Sequence, residues 1–299
     1  MSELTRDDGG ALLLPRRRRR RAMNLFVCLL AVAFASGADE GRPAASWKLV
    51  WADEFDTAGA PDLRNWTYER GFVRNEELQW YQPENARCEA GLLVIEARRE
   101  RKPNPGYDPA AGDWRRQREY AEYTSSSLTT KGLHSWRYGR FEMRGRIDTR
   151  PGLWPAFWTL GDEGRWPANG EIDIMEYYRG LLLANVAWAT NVQFRPKRDT
   201  VSKPIREFGD PDWSKKFHVW RMDWDEREIR LYVDGALLNE TSLKETINGD
   251  GSGRNPFRQP HYILLNLAIG GTSGGDPSET AFPARFEVDY VRVYAAEQE

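Results

Sequence analysis

The sequence predicts an all-β chain, a β-sandwich or jelly roll. Apolar and polar residues alternate over several short runs, as they do when one strand face is buried and the other is wet. Gly, Pro, Asn and Asp break these runs at short intervals. No long stretch shows the three-to-four-residue apolar spacing of a helix, and no internal repeat is present. Many short strands with turn signals between them point to a sandwich rather than a helical or alternating α/β chain.

Along the chain, "GLLVIEARRE" (residues 91–100) and "EYTSSSLTTKG" (122–132) read as strands. "RYGRFEMRGRID" alternates cleanly, with Phe141, Met143 and Ile147 on one face and Arg140, Glu142, Arg144 and Arg146 on the other. "REIRLYVDG" ends in an Asp-Gly turn, and "HYILLNLAIGG" is a nearly continuous apolar run. In "RFEVDYVRVY", Val291 and Val293 join the face of Phe286 and Val288 only after a register change. Residues 102–122, 195–213 and 248–260 read as long surface loops, a common place for binding residues. "NGDGSG" within the last lacks the ligand set of a calcium loop and reads as a turn.

The 45 Asp plus Glu and 43 Lys plus Arg give a net charge of −2, without the basic excess of a nucleic-acid binder. A sandwich domain of about 200–250 residues accounts for most of the chain. The start differs. Six arginines (16–21) precede an apolar run (about 25–35) and then small residues. This is the layout of a secretory leader, with cleavage after Ala35 or Ala38. The apolar run is short for a membrane span, which needs about 20 residues. Residues 1–38 are expected to be a leader, 39–45 a short linker and 46–299 the folded domain. Met1 and Met23 are both candidate starts. The expected destination is the periplasm or the outside of the cell, with no stable membrane insertion after leader removal. Cys28 lies in the leader, so Cys88 alone remains, as a small strand residue.

The chemistry concentrates in "WPANGEIDIMEYY" (166–178). On strict alternation Glu171 and Asp173 share a face, and Glu176 falls on the apolar face of Ile172 and Ile174. A lone carboxylate is costly to bury there. A β-bulge at Ile174–Met175 resets the register and brings all three acids to one face. The acidic-x-acidic-x-x-acidic pattern alone is expected about once by chance in a chain this acidic. Its setting in an apolar strand without a basic residue gives it weight. Three carboxylates in a row raise at least one pKa. A glycosidase needs that outcome: one ionised carboxylate and one carboxylic acid at neutral pH. Glu171 and Glu176 are the candidate pair, with Asp173 between them. A solvated acidic face or a metal site is the competing reading of this stretch. Just before it, Trp154, Phe157, Trp158 and Trp166 fall within thirteen residues. Such rings stack on sugar faces in clefts or fill cores. If Trp154 and Trp158 share a face, Phe157 takes the other.

"GLWPAFWTLG" followed by "GEIDIMEYY" resembles glycoside hydrolase family 16, in its laminarinase-like branch. "WADEFD", "NEELQWY", "TTKGLHSWRYGRFEMRGRI", "LYVDG", "LLNLAIGG" and "VDYVRVY" resemble it further, in order, across residues 46–294. The resemblance implies a jelly roll with a concave cleft. It implies retaining endo-hydrolysis of a β-linked polysaccharide, with no cofactor needed for catalysis. Glu171 is then the nucleophile, Asp173 the assisting acid and Glu176 the general acid/base. Trp154, Trp158, Trp166, Asn75, Arg140 and Asn266 are its implied cleft residues. It also implies a structural calcium, with Glu54 and Asp289 in the corresponding segments. A monomer is expected, since nothing in the sequence suggests an obligate partner.

One departure bears on the substrate. Laminarinases of this type usually carry a His on the strand after the catalytic one. Here that strand reads "LANVAWATN", with Trp188 near the place, and His134, His218 and His261 lie elsewhere. β-1,3-glucan is the first expectation. Agar- or porphyran-type β-galactans and mixed-linkage β-glucans are alternatives on the same catalytic strand. A non-catalytic glycan-binding sandwich is the alternative of another class, but it has no need of the three acids. No Gly-x-Ser-x-Gly elbow and no His/Cys cluster supports another hydrolase chemistry.

Overall fold

Every second residue of Gly139–Arg146 is buried, and the same holds in His218–Trp224 and Glu228–Val233. The computed structural model, which describes residues 46–297, pairs these alternating strands side by side. One sheet has eight strands. Its order is Ala236–Ser242, Glu228–Val233, His218–Trp224, Gly139–Arg146, Ala284–Ala296, Leu92–Ala97 and Ala86–Glu89, with Trp47–Asp53 also paired to Ala284–Ala296. The other has seven, in the order Pro196–Pro204, Leu181–Ala189, Glu171–Tyr178, Leu153–Gly161, His261–Ile269, Ser127–Thr129 and Thr67–Tyr68. All pairings within both sheets are antiparallel. This is the predicted sandwich. Phe157, Ile172, Val186, Leu265 and Leu267 from the seven-stranded sheet share a core with Phe141, Met143, Trp220, Met222 and Phe286 from the other.

Two register changes expected from the sequence are present. Asp173 faces Asn185 and Glu176 faces Leu183, so Ile174 and Met175 together oppose Ala184. Both bulged residues are buried in the core, and the carboxylates on either side keep the opposite face. In the last strand, Arg144 faces Tyr290 and Gly145 faces Val288, leaving Asp289 as the extra residue. Val291 and Val293 thereby rejoin the buried side.

Residues 195–213 are not simply a loop. Pro196–Pro204 forms the edge strand of the seven-stranded sheet, paired with Leu181–Ala189 over its whole length. It has no apolar alternation because none of its side chains is fully buried on either face. Prolines at both ends and exposed lysine suit an edge, where unpaired backbone must not recruit another strand. Cys88 is buried in the core, and burial pushes its thiol up to about 11. The leader and linker readings lie outside the described residues.

Candidate active site

Four adjacent strands build the floor of the site by register. Leu160, Glu171, Ala187 and Arg198 stand in one row, and Trp158, Asp173, Asn185 and Thr200 in the next. Ala156, Glu176 and Leu183 form a third. Nearly all these side chains line a cleft of 510 Å³, closed on one side by Arg74, Asn75 and Glu77. Trp154 and Trp158 do share the cleft face, and Phe157 packs in the core.

The tryptophans also bind the acids. The Trp154 indole N–H donates to Glu176 Oε1 at 2.8 Å, and that of Trp166 donates to Glu171 Oε2 at 3.0 Å. The Trp158 N–H donates to Asn266 Oδ1 at 2.7 Å, and Asn266 donates to the Tyr81 hydroxyl at 3.2 Å. Asn185 bridges two acids, donating to Glu176 Oε2 at 2.8 Å and to Asp173 Oδ2 at 3.2 Å. Each carboxyl is thus held in one orientation, by hydrogen bonds that contribute about 0.5–1.5 kcal/mol each where the acceptor is neutral.

Burial pushes the Glu176 carboxyl from 4.5 up to about 7. The Glu171 charge adds to this, while the Trp154 and Asn185 donors and the Arg198 charge oppose it. Asp173 is driven well above the usual carboxylate range, by burial first and then by the charges of Glu171 and Glu176. The row therefore holds protons near neutrality at its Asp173–Glu176 end. Replacing Trp154 by Phe keeps the ring and removes the donor. The Glu176 carboxyl is then expected to titrate at higher pH, read by carbon-13 NMR of labelled glutamate side chains.

Asn75 lies in the cleft wall with φ +54, a conformation asparagine tolerates better than most residues. Its carbonyl accepts from the Thr272 N–H at 2.9 Å. Gly271 makes that approach possible, because a Cβ there would sit 2.6 Å from the Asn75 oxygen.

The other candidates stand elsewhere. Arg140 is on the eight-stranded sheet, with two donors on Asp223 at 2.7 and 3.0 Å and its guanidinium over the Trp47 ring. Its alternation with Phe141 turns it away from the sandwich core on the wrong sheet for the cleft. Trp188 is one residue out of phase with Asn185 and Ala187, so it packs in the core. Ala187 is the residue beside Glu171. Glu54 and Asp289 each face an arginine rather than each other. Glu54 accepts from Arg292 with both oxygens at 2.8 Å, and Asp289 accepts from Arg144 at 2.5 Å. Calcium needs six to eight converging oxygens, and among the described residues no cluster of His, Cys, Asp or Glu is placed to hold a metal.

Sequence reasoning missed Asn185, Arg198, Arg74 and Glu77. Arg198 Nη1 donates to Glu171 Oε1 at 3.1 Å. Arg74 lies 5.0 Å over the Trp158 ring and pairs with Glu69. Only the phase of "LLANVAWA", counted from a cleft-facing residue, would have singled out Asn185.

Residues 80–292 match the family described as Glycosyl hydrolases family 16. The chain is 37% identical to the beta-glucanase of Rhodothermus marinus, over 86% of this chain and 88% of that protein. The laminarinase structure from Rhodothermus marinus superposes with a TM-score of 0.69 at 38% identity, covering 86% of this chain and all of that one (100%). A structure from work on endo-acting O-glycanases, expressed by prominent members of the human gut microbiota to initiate mucin breakdown, gives a TM-score of 0.77. It is 34% identical and covers 86% of this chain and 94% of that chain. A cleft floored by acids at the bulge, walled by indoles and carried on this sandwich agrees with these likenesses, and the chain belongs to glycosyl hydrolase family 16.

Proposed function

We propose that this glycoside hydrolase is a retaining endo-enzyme acting on a β-linked polysaccharide, with β-1,3-glucan as the first substrate. The observation that carries the chemistry is the asymmetry of the acidic row. Glu171 is held by an indole N–H and a guanidinium, while burial keeps a proton on Glu176 up to about pH 7. Glu171 attacks the anomeric carbon as Glu176 gives its proton to the leaving glycosidic oxygen. The C–O bond to the leaving sugar breaks and a glycosyl ester forms on Glu171. Glu176, now ionised, takes a proton from water, the water oxygen attacks the same carbon, and Glu171 leaves. Two inversions return the starting configuration. Asp173, kept protonated between the two, adds no charge to the row.

The endo character follows from the cleft. It crosses five strands from Asn266 to the edge strand, roughly 19 Å at the usual strand spacing. The substrate class draws support from the relatives named beta-glucanase and laminarinase. The strand after the catalytic one carries Ala187 beside Glu171 and no His, which favours a second reading, a β-galactan or a galactose-containing glycan. The likeness to a structure from work on endo-acting O-glycanases supports a glycan other than a plain β-glucan. The leader-like segment supports action outside the cytoplasm.

Reducing-sugar release by residues 46–299 from laminarin, mixed-linkage β-glucan, agarose, porphyran and carrageenan tests both. Release from laminarin is the expected result. Release from a galactan alone would replace the first reading by the second. No release from any of them, with binding retained, would leave a glycan-binding sandwich.

A further inference from the structure

Among the described residues, the acidic row has a cation at one end only. Arg198 belongs to the edge strand, and its guanidinium crosses above Ala187 to reach Glu171. The crossing depends on a side chain as small as a methyl at position 187, because Ala187 stands between the two in the row. Its charge reaches the cleft although no basic residue lies in the acidic strand itself. One Arg198 donor is on Glu171, and among the described residues its other N–H groups make no hydrogen bond. The remaining titratable groups facing the row are Tyr178 on the same strand and Arg74 and Glu77 across the cleft. Arg74 is already paired with Glu69. Among the described residues, no other cation lining the cleft contacts one of the three acids.

We propose that Arg198 is a positioning residue that holds the Glu171 carboxylate in place and concentrates the negative charge of the row at that end. Three neighbouring carboxylates have no intrinsic reason to differ in role. The salt bridge at 3.1 Å, with the Trp166 N–H on the other oxygen of Glu171, separates them. It leaves Glu171 oriented by both oxygens. The same charge acts on Glu176 from farther away, in the direction that favours its ionised form. This inference rests on the function proposed above, and its test is built to fail separately from it.

The carboxyls of glutamate-labelled protein are titrated by carbon-13 NMR, with Glu171→Gln and Glu176→Gln to assign the signals. The parent is compared with Arg198→Met, Arg198→Lys and Lys197→Met, the last removing a charge one residue away over Trp188. In Arg198→Met the Glu176 midpoint is expected to rise by about half a pH unit or more. Arg198→Lys keeps the charge and falls between that variant and the parent, and Lys197→Met titrates like the parent. On a glycan that the parent cleaves, Arg198→Met is expected to lose about tenfold or more in kcat, with its alkaline limb moved to higher pH. An unchanged Glu176 titration, or an unchanged kcat, in Arg198→Met overturns the inference. If the parent cleaves no glycan, the functional reading fails and the titration alone still decides the role of Arg198.

Discussion

Glu171→Gln is expected to lower kcat/KM on any cleaved glycan by at least about 10⁴-fold, with the fold and glycan binding intact. Gln matches Glu in shape but cannot form the glycosyl ester, so the covalent route closes. Smaller replacements make the assignment stereochemical. With an activated β-glycoside and azide, Glu171→Ala has room for the anion on the face that Glu171 occupied. One displacement gives the α-glycosyl azide. Glu176→Ala still forms the ester when the leaving group needs no proton. Azide then displaces Glu171, and two inversions give the β-glycosyl azide. Proton NMR of the product separates the two outcomes. The β product from Glu171→Ala would show that another group is the nucleophile.

Glu176→Gln is expected to lose about 10²–10⁴-fold on unactivated glycans and, at the same time, to be more stable than the parent above neutrality. The parent's activity should fall as pH rises through about 7, because the proton that Glu176 must donate is lost there. Stability follows the same proton. Between pH 4.5 and about 7 the native state keeps the proton on Glu176 and the unfolded state has released it. Unfolding therefore becomes easier as pH rises across that window, and the loss is complete above it. A glutamine has no such cost, so the variant gains up to about 3 kcal/mol at pH 8. Denaturant unfolding of both proteins at pH 5 and pH 8 checks this. Equal stability at pH 8 would mean that Glu176 is not buried in its acidic form.

The acidic strand was legible because its signals are local. A carboxylate one residue out of phase with Ile172 and Ile174 demands either a buried charge or a bulge, and the structure holds the bulge at the expected pair. The same reasoning reached the indoles, since Trp154 and Trp158 share a phase and Phe157 does not. It failed at Trp188, where the resemblance suggested the place but not the phase. Asn185 lines the cleft and Ala187, two residues on, stands beside Glu171, so their even-numbered neighbour must be core. Arg140 failed for another reason. Clean alternation shows that a residue faces away from the core, but not which of the two sheets carries it.

Strand periodicity, turn residues and the resemblance determined from the sequence that this chain is a sandwich with Glu171, Asp173 and Glu176 on one face. These depend on neighbours a few positions apart, and side-chain alternation along a strand is the same in any β fold. The tertiary structure alone decided what tells the three acids apart. Trp154, Asn185 and Arg198 reach them from three other strands, 22, 9 and 27 residues away in the chain. Which residues meet across strands depends on sheet order and register. The edge strand bearing Arg198 shows no apolar period by which either could be read.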